Sequence, residues 1–250
     1  MKPRAAWTLP LFLALTLALL LAWAPAALLD HQLERASAGR LRLGEAQGSL
    51  WQGSGQLAAA DDGRLPVPWL ALRWAFQPAG LLRGGLEWQL WADGTPAFHL
   101  HLGAGGMALR QIALDLPSAP LLRSLPQAAL QFGWNGRLRL QGESLDCGWD
   151  QRCHGQVTVD WQSASVDVLP QQALGDYRAL LQADGDGLAI TLSSQAGNPL
   201  QLAGSVTLMR RQKPALDLRL GGDPQLLARL RPLLQQGGRV EAGTLAIRYP

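Results

Sequence analysis

Apolar and polar residues alternate along most of this chain. Leu86, Trp88, Leu90 and Ala92 are spaced by Glu87, Gln89 and Trp91, and the run stops at Asp93-Gly94. Phe98, Leu100 and Leu102 are spaced by His99 and His101, and Ile112, Leu114 and Leu116 by Ala113 and Asp115. Leu138 and Leu140 alternate with Arg137 and Arg139, and Val157, Val159 and Trp161 with Thr158 and Asp160. Successive side chains of a strand point to opposite faces, so this period of two predicts strands with one face buried and one wet. Further strands are predicted over 188–192, 200–208, 215–220 and 239–248, with residues 36–48 as a connector into the first one.

The stops are as regular as the runs. Asp62-Gly63, Asp93-Gly94, Asn135-Gly136, Asp184-Gly185-Asp186-Gly187 and Gly197-Asn198-Pro199 each supply residues that accept positive φ or fix a turn. The 28 glycines and 16 prolines fall mainly at these junctions, so they punctuate folded strands and do not signal disorder. Two segments depart from the pattern. Leu121–Leu125, between Pro120 and Pro126, predicts a short helical turn. Asp223-Pro224 predicts a helix start, with Leu226, Leu227, Leu230, Leu233 and Leu234 on one face, a bend at Pro232 and an end at Gly237-Gly238. Such a helix is expected to cover a sheet edge.

The N-terminus follows another rule. No charged residue occurs from Trp7 to Leu29, a run long enough to cross a bilayer as a helix. Trp7 and Trp23 bracket its centre, and Lys2 and Arg4 precede it, which keeps the N-terminus cytoplasmic. The expected organisation is a cytoplasmic tip at 1–6, a transmembrane helix at 7–29 and a β-rich domain at 30–250 on the far side. A cleaved signal peptide is the alternative, with Ala24-Pro25-Ala26 as its site. The fold class is therefore mainly β: a single N-terminal transmembrane helix, then an elongated, curved antiparallel β-sheet domain with one or two short helices. A compact two-sheet sandwich is the rival arrangement.

Charge and motifs narrow the function classes. The net charge is +3, all but two of the 22 basic residues are arginine, and the longest basic run is Arg210-Arg211-Gln212-Lys213. That is no clustered nucleic-acid footprint. Cys147 and Cys153, the only cysteines, have five residues between them and predict a small disulfide loop in an exported domain. His99 and His101 share a strand face but lack a completing ligand set, so they read as surface histidines. Asp184-Gly185-Asp186-Gly187 resembles the opening of a calcium loop without its later glutamate, and reads as a turn. No nucleophile elbow, zinc-protease helix, phosphate loop or dinucleotide fingerprint is present, so no catalytic, metal or cofactor residues are assigned and no enzyme is expected.

Tryptophan is the most informative residue. Ten occur, and Trp51, Trp69, Trp74, Trp88 and Trp91 crowd the early strands. Alternation puts Trp88 and Trp91 on opposite faces, so at least one of them is expected to meet another chain, a lipid surface or a covering loop, and the five are taken as a candidate interaction surface.

Read in order, several segments resemble the family of type II secretion system protein N. An apolar N-terminus leads to Gly48-Ser49-Leu50-Trp51-Gln52-Gly53, followed by Pro68-Trp69-Leu70, Arg73-Trp74 and Ala173-Leu174-Gly175-Asp176-Tyr177. The resemblance covers the whole chain. It implies a non-enzymatic accessory subunit of the inner membrane, with its bulk in the periplasm, that supports export of folded proteins across the outer membrane. Its partners would be other inner-membrane subunits of that machine and, through the anchor, membrane lipid. No catalytic residues come with the resemblance. The alternative is a periplasmic β-trough protein that handles lipid between membranes, an analogy at the level of fold.

Overall fold

A computed structural model describes residues 12, 16, 19, 23–59, 67–123, 133–167, 173–210, 215–228, 239–241 and 244–249. After a helix α1 (Ala27–Ala36) come β1 (Leu41–Gly48), β2 (Gln52–Ala59), β3 (Val67–Phe76), a 3₁₀ turn (Pro78–Arg83), β4 (Gly85–Ala92), β5 (Thr95–Gly103) and β6 (Gly106–Pro117). A short helix α2 (Ser118–Arg123) precedes β7 (Trp134–Gly148), β8 (Cys153–Val166), β9 (Ala173–Gly185), β10 (Gly187–Ser194), β11 (Leu200–Met209) and β12 (Ala215–Gly222). The last hairpin is β13 (Arg239–Glu241) and β14 (Thr244–Tyr249).

These strands form one 14-stranded antiparallel sheet in chain order, except that β14 lies beside β12 and leaves β13 on the edge. The sandwich alternative is therefore set aside. Register explains the alternation. Phe76, Trp88, Leu100, Leu109 and Leu145 lie opposite one another in turn across β3–β7. The row continues through Gly155, Ala183, Leu188 and Leu208 to β11. Directly opposed residues share a face, so one side of the sheet is apolar over nine strands. The other side carries Glu87, His101, Ala108, Asp146, His154 and Asp184 in a matching row.

A single layer can bury its apolar side only by curling over it. Bulges break the register at Glu45 and Ser163, each with φ near +50°, a conformation that bends and twists the strand. Gln111 in β6 takes the same positive φ without shifting the register to β7. As a result α2, which follows β6, touches β2. Leu114 of β6 joins a cluster with Leu57, Leu70, Ala92 and Ala97 of β2–β5. A second cluster holds Ala26, Leu43, Trp74 and Trp88, and a third Ala164, Leu174, Tyr177, Leu200, Leu220 and Leu226.

Several expectations are corrected. The connector at 36–48 is the end of α1 followed by β1, whose Gly44 and bulge at Glu45 blur the alternation. Asn135-Gly136 is no turn: it lies inside β7, where Gly136 at φ 124° sits at a bulge under Trp161. The strand expected over 239–248 is described as two strands, Arg239–Glu241 and Thr244–Tyr249, paired antiparallel. The late helix begins as expected, with the Asp223 carboxylate accepting from Gln225 N–H at 2.8 Å, and is described over 224–228. Its remaining residues, Leu230 to Gly238, lie outside the described residues, as do Asp62-Gly63 and Leu125.

Among the described residues no helix is long and apolar enough to cross a membrane. Most of the span expected at 7–29, and the tip at 1–6, lies outside them. At its far end, residues 24–29 make contacts with the sheet. Pro25 bridges Ser49, the Ala26 N–H donates to Gly48 O at 3.1 Å, and Leu50 N–H donates to Ala24 O at 2.9 Å. Ala24 and Ala26 are buried, and α1 then lies on β1. Asp30 fixes that helix: Arg42 Nε and Nη2 donate to its two oxygens at 3.0 and 2.8 Å, and Leu43 N–H donates at 2.7 Å. The guanidinium of Arg42 holds the Asp30 carboxyl below its ordinary range, although partial burial opposes this.

Candidate interaction surface

The five tryptophans of the candidate interaction surface sit in different surroundings. Trp74 and Trp88 are buried on the apolar face. Trp51 stacks on Trp88 at 5.9 Å between centroids, and Phe76 meets both rings edge-on at 5.0 and 5.5 Å. Each buried indole still needs an acceptor for its N–H. Trp74 donates to Ser49 O at 3.0 Å and Trp88 to Leu50 O at 3.1 Å.

The segment Gly48-Ser49-Leu50-Trp51-Gln52-Gly53 is therefore a knot with a physical reason at each position. Ser49 Oγ accepts from the N–H groups of Trp51 and Gln52 at 3.2 and 3.3 Å. Gly48, at φ 89°, makes the turn, and Gly53 leaves room for the Trp74 ring. Gly48 and Leu50 also hold the incoming chain at Ala24 and Ala26.

Trp69 is half-buried beside Leu70, and Trp91 lies on the opposite face beneath the Arg73 guanidinium at 5.4 Å. Trp51, Trp74 and Trp88 pack in the core, and Trp91 alone takes the wet face among the β4 pair. Sequence alternation separated Trp88 from Trp91 but gave no sign of which strands would arch over the apolar side.

The second quoted segment is also structural. Leu174 is fully buried, and Gly175 at φ 123° makes room for the Asn198 side chain. Asn198 Nδ2 donates to Asp176 O at 2.6 Å, and an Asp176 oxygen accepts from Ser163 N–H at 2.7 Å, closing the bulge. The Tyr177 hydroxyl lies 2.9 Å from Leu174 O and 3.0 Å from Leu200 O, so its one proton is shared between them. Burial pushes this phenol well above its ordinary range. Trp134, Trp161 and Tyr177 form a chain of rings at 5.5 and 6.1 Å.

Cys147 and Cys153 lie opposite each other on β7 and β8 and are joined in a disulfide, closing the hairpin that carries Trp149. Trp149 is 62 % exposed, its indole donating to Gly103 O at 3.3 Å. Sequence reasoning passed over it, although its place between paired cysteines was a signal.

Among the described residues, the polar face holds one buried acid. Glu87 is 7 % exposed, with Arg83 Nη1 donating to it at 3.0 Å and His99 Nδ1 at 3.4 Å, too loosely aligned for a hydrogen bond. His101 lies directly opposite Glu87. Among the described residues no group of three or more His, Cys, Asp or Glu could hold a metal ion. Elsewhere this face carries cross-strand ion pairs, the best being Arg178 on Asp160 through two bonds at 2.6 and 3.1 Å.

The apolar face is not fully covered. A groove of about 370 Å³ opens near the β7–β11 end, lined by Leu145, Val157, Leu181, Leu188, Leu208 and Met209 among others.

Compared with known families, residues 39–248 match type II secretion system (T2SS), protein N. No curated protein and no solved structure matches the chain.

Proposed function

The chain belongs to the type II secretion system protein N family, and from that premise we propose that it is a non-enzymatic accessory subunit of the secretion machine. It is tethered to the inner membrane by its N-terminal apolar run, with the N-terminus cytoplasmic and the sheet in the periplasm. There it supports export of folded proteins across the outer membrane. Its partners are other inner-membrane subunits and, through the tether, lipid. The observation that carries this reading is the match over 39–248. The Gly48–Gly53 knot within it fastens the chain leaving the apolar run to the first strands, as a tethered domain requires. A wet face of ion pairs and an edge strand β1 suit contact with other chains. Deleting the gene should leave folded secretion substrates in the periplasm, restored by the full chain. Normal secretion without it would count against the role.

One observation favours a second reading. The apolar groove at Leu145–Val157–Leu188 suits acyl chains, as in a lipid-handling trough. Co-purified phospholipid in place of protein partners would support that reading over the first.

A further inference from the structure

In an antiparallel meander, alternate turns gather at the same end of the sheet. The β1–β2, β3–β4, β5–β6, β7–β8, β9–β10 and β11–β12 connections lie at one end, and the remaining turns at the other. Among the described residues, the large exposed hydrophobic side chains of the strands and turns gather at the first of these ends. Leu81 and Leu82 lie on the β3–β4 turn, Met107 and Trp149 beside the β5–β6 and β7–β8 turns, and Met209 at the end of β11. Leu82 is 92 % exposed. Among the described strands and turns, the opposite end shows Val67 alone in this class. Water disfavours such a cluster, and a rim of leucine, methionine and tryptophan at one end marks a surface that meets another phase.

The incoming chain identifies that phase. Trp23 is 82 % exposed, and the residues after it are bound to Gly48, Ser49 and Leu50 in the β1–β2 turn, at this same end. The charge-free run that begins at Trp7 therefore joins the fold on the rim where the other exposed apolar side chains lie. The turns from β5–β6 to β11 are tied to one another. Trp149 N–H donates to Gly105 O at 3.3 Å, Arg152 Nε to Asp186 at 3.1 Å, Arg210 N–H to Asp186 O at 3.1 Å and Arg210 Nη1 to Asp150 O at 2.6 Å.

The geometry points to this rim as a lipid-facing surface: the sheet stands end-on against the membrane, with Leu82, Trp149, Met209 and Trp23 entering the headgroup region. Indoles favour that depth because the ring is apolar and the N–H remains wet. The arginines of the rim are already engaged, Arg83 with Glu87 and Arg152 with Asp150 and Asp186. Contact is thus apolar in origin and tolerates salt, unlike a polybasic patch. The inference rests on the tether proposed above.

The test uses the full chain reconstituted in phosphatidylcholine vesicles, with an environment-sensitive fluorophore on Leu82→Cys or, at the other end, Val67→Cys. Both sites are exposed, and the native cysteines are paired. A blue-shifted emission at 82, quenched by spin-labelled lipid and unchanged by salt or by added phosphatidylglycerol, with neither effect at 67, supports the proposal. Equal, water-like emission at both sites overturns it. So does a blue shift that spin-labelled lipid does not quench, which would indicate a second protein chain. So does a shift that disappears in salt. Loss of the chain from the vesicles altogether would strike at the tether instead, so the two failures are told apart.

Discussion

Replacing Trp88 tests whether the early tryptophans hold the fold or face a partner. Its indole is buried, stacks on Trp51 and donates to Leu50 O. Trp88→Ala opens a cavity in the centre of this cluster and should cost about 3–5 kcal/mol. Trp88→Phe keeps much of the ring but leaves the Leu50 carbonyl without its donor, at about 1–3 kcal/mol. A double-mutant cycle with Trp51→Ala should show a coupling of about 0.5–1.5 kcal/mol from the stacked pair. Trp91→Phe, on the other face under Arg73, should cost under about 1 kcal/mol. Small domains are stable by only about 5–15 kcal/mol, so the alanine variant should be visibly weakened. The assay is denaturant unfolding of the full chain in detergent, followed by circular dichroism so that loss of a fluorophore does not matter. Trp88→Phe matching the wild type, or no coupling with Trp51, would refute the assignment of these rings to the core.

Other expectations follow from the same contacts. A chain beginning at Ala27 loses the bonds made by Ala24 and Ala26 and their burial, and should be less stable than one beginning at Trp23 by about 1–3 kcal/mol, measured by denaturant melts. Equal midpoints would show that the knot does not need them. Removing both Cys147 and Cys153 as serines frees a short loop and should cost about 2 kcal/mol, with Trp149 emission shifting toward that of water. Asp30 titrates below the ordinary carboxylate range, so its contribution is present above that range and fades as pH falls through the lowered value. Asp30→Asn should flatten this acid limb of a stability–pH profile. Tyr177 titrates above the ordinary phenol range, so its contribution holds up to about that range and declines as pH rises further. Tyr177→Phe should remove that alkaline decline at a cost of about 1–2 kcal/mol near neutrality.

The hairpins were legible because local rules decide them. Asp93 and Gly94 both adopt positive φ and close β4 to β5 in two residues, as that dipeptide does wherever twist must be matched. The same local rule misled at Asn135-Gly136, where a bulge in a long strand uses glycine for close approach to Trp161. The β1–β2 hairpin hid behind its own glycines: Gly53 and Gly55 are small because Trp74 and Leu43 lie over them, a relation no local pattern carries. The packing of Trp51, Trp74 and Trp88 was hidden for the same reason. Alternation gives the face of a side chain, but burial depends on how far the sheet curls, and that is set by bulges at Glu45 and Ser163 and by the positive φ of Gln111, residues with no left-handed preference. The exposed rim could not be read either, since it joins turns that are far apart in sequence.

The measurement that bears most directly on the whole account is a crosslinking pull-down of the intact chain from membranes. The account predicts recovery of inner-membrane subunits of the type II secretion machine with the chain. Recovery of phospholipid with no such subunit would contradict it.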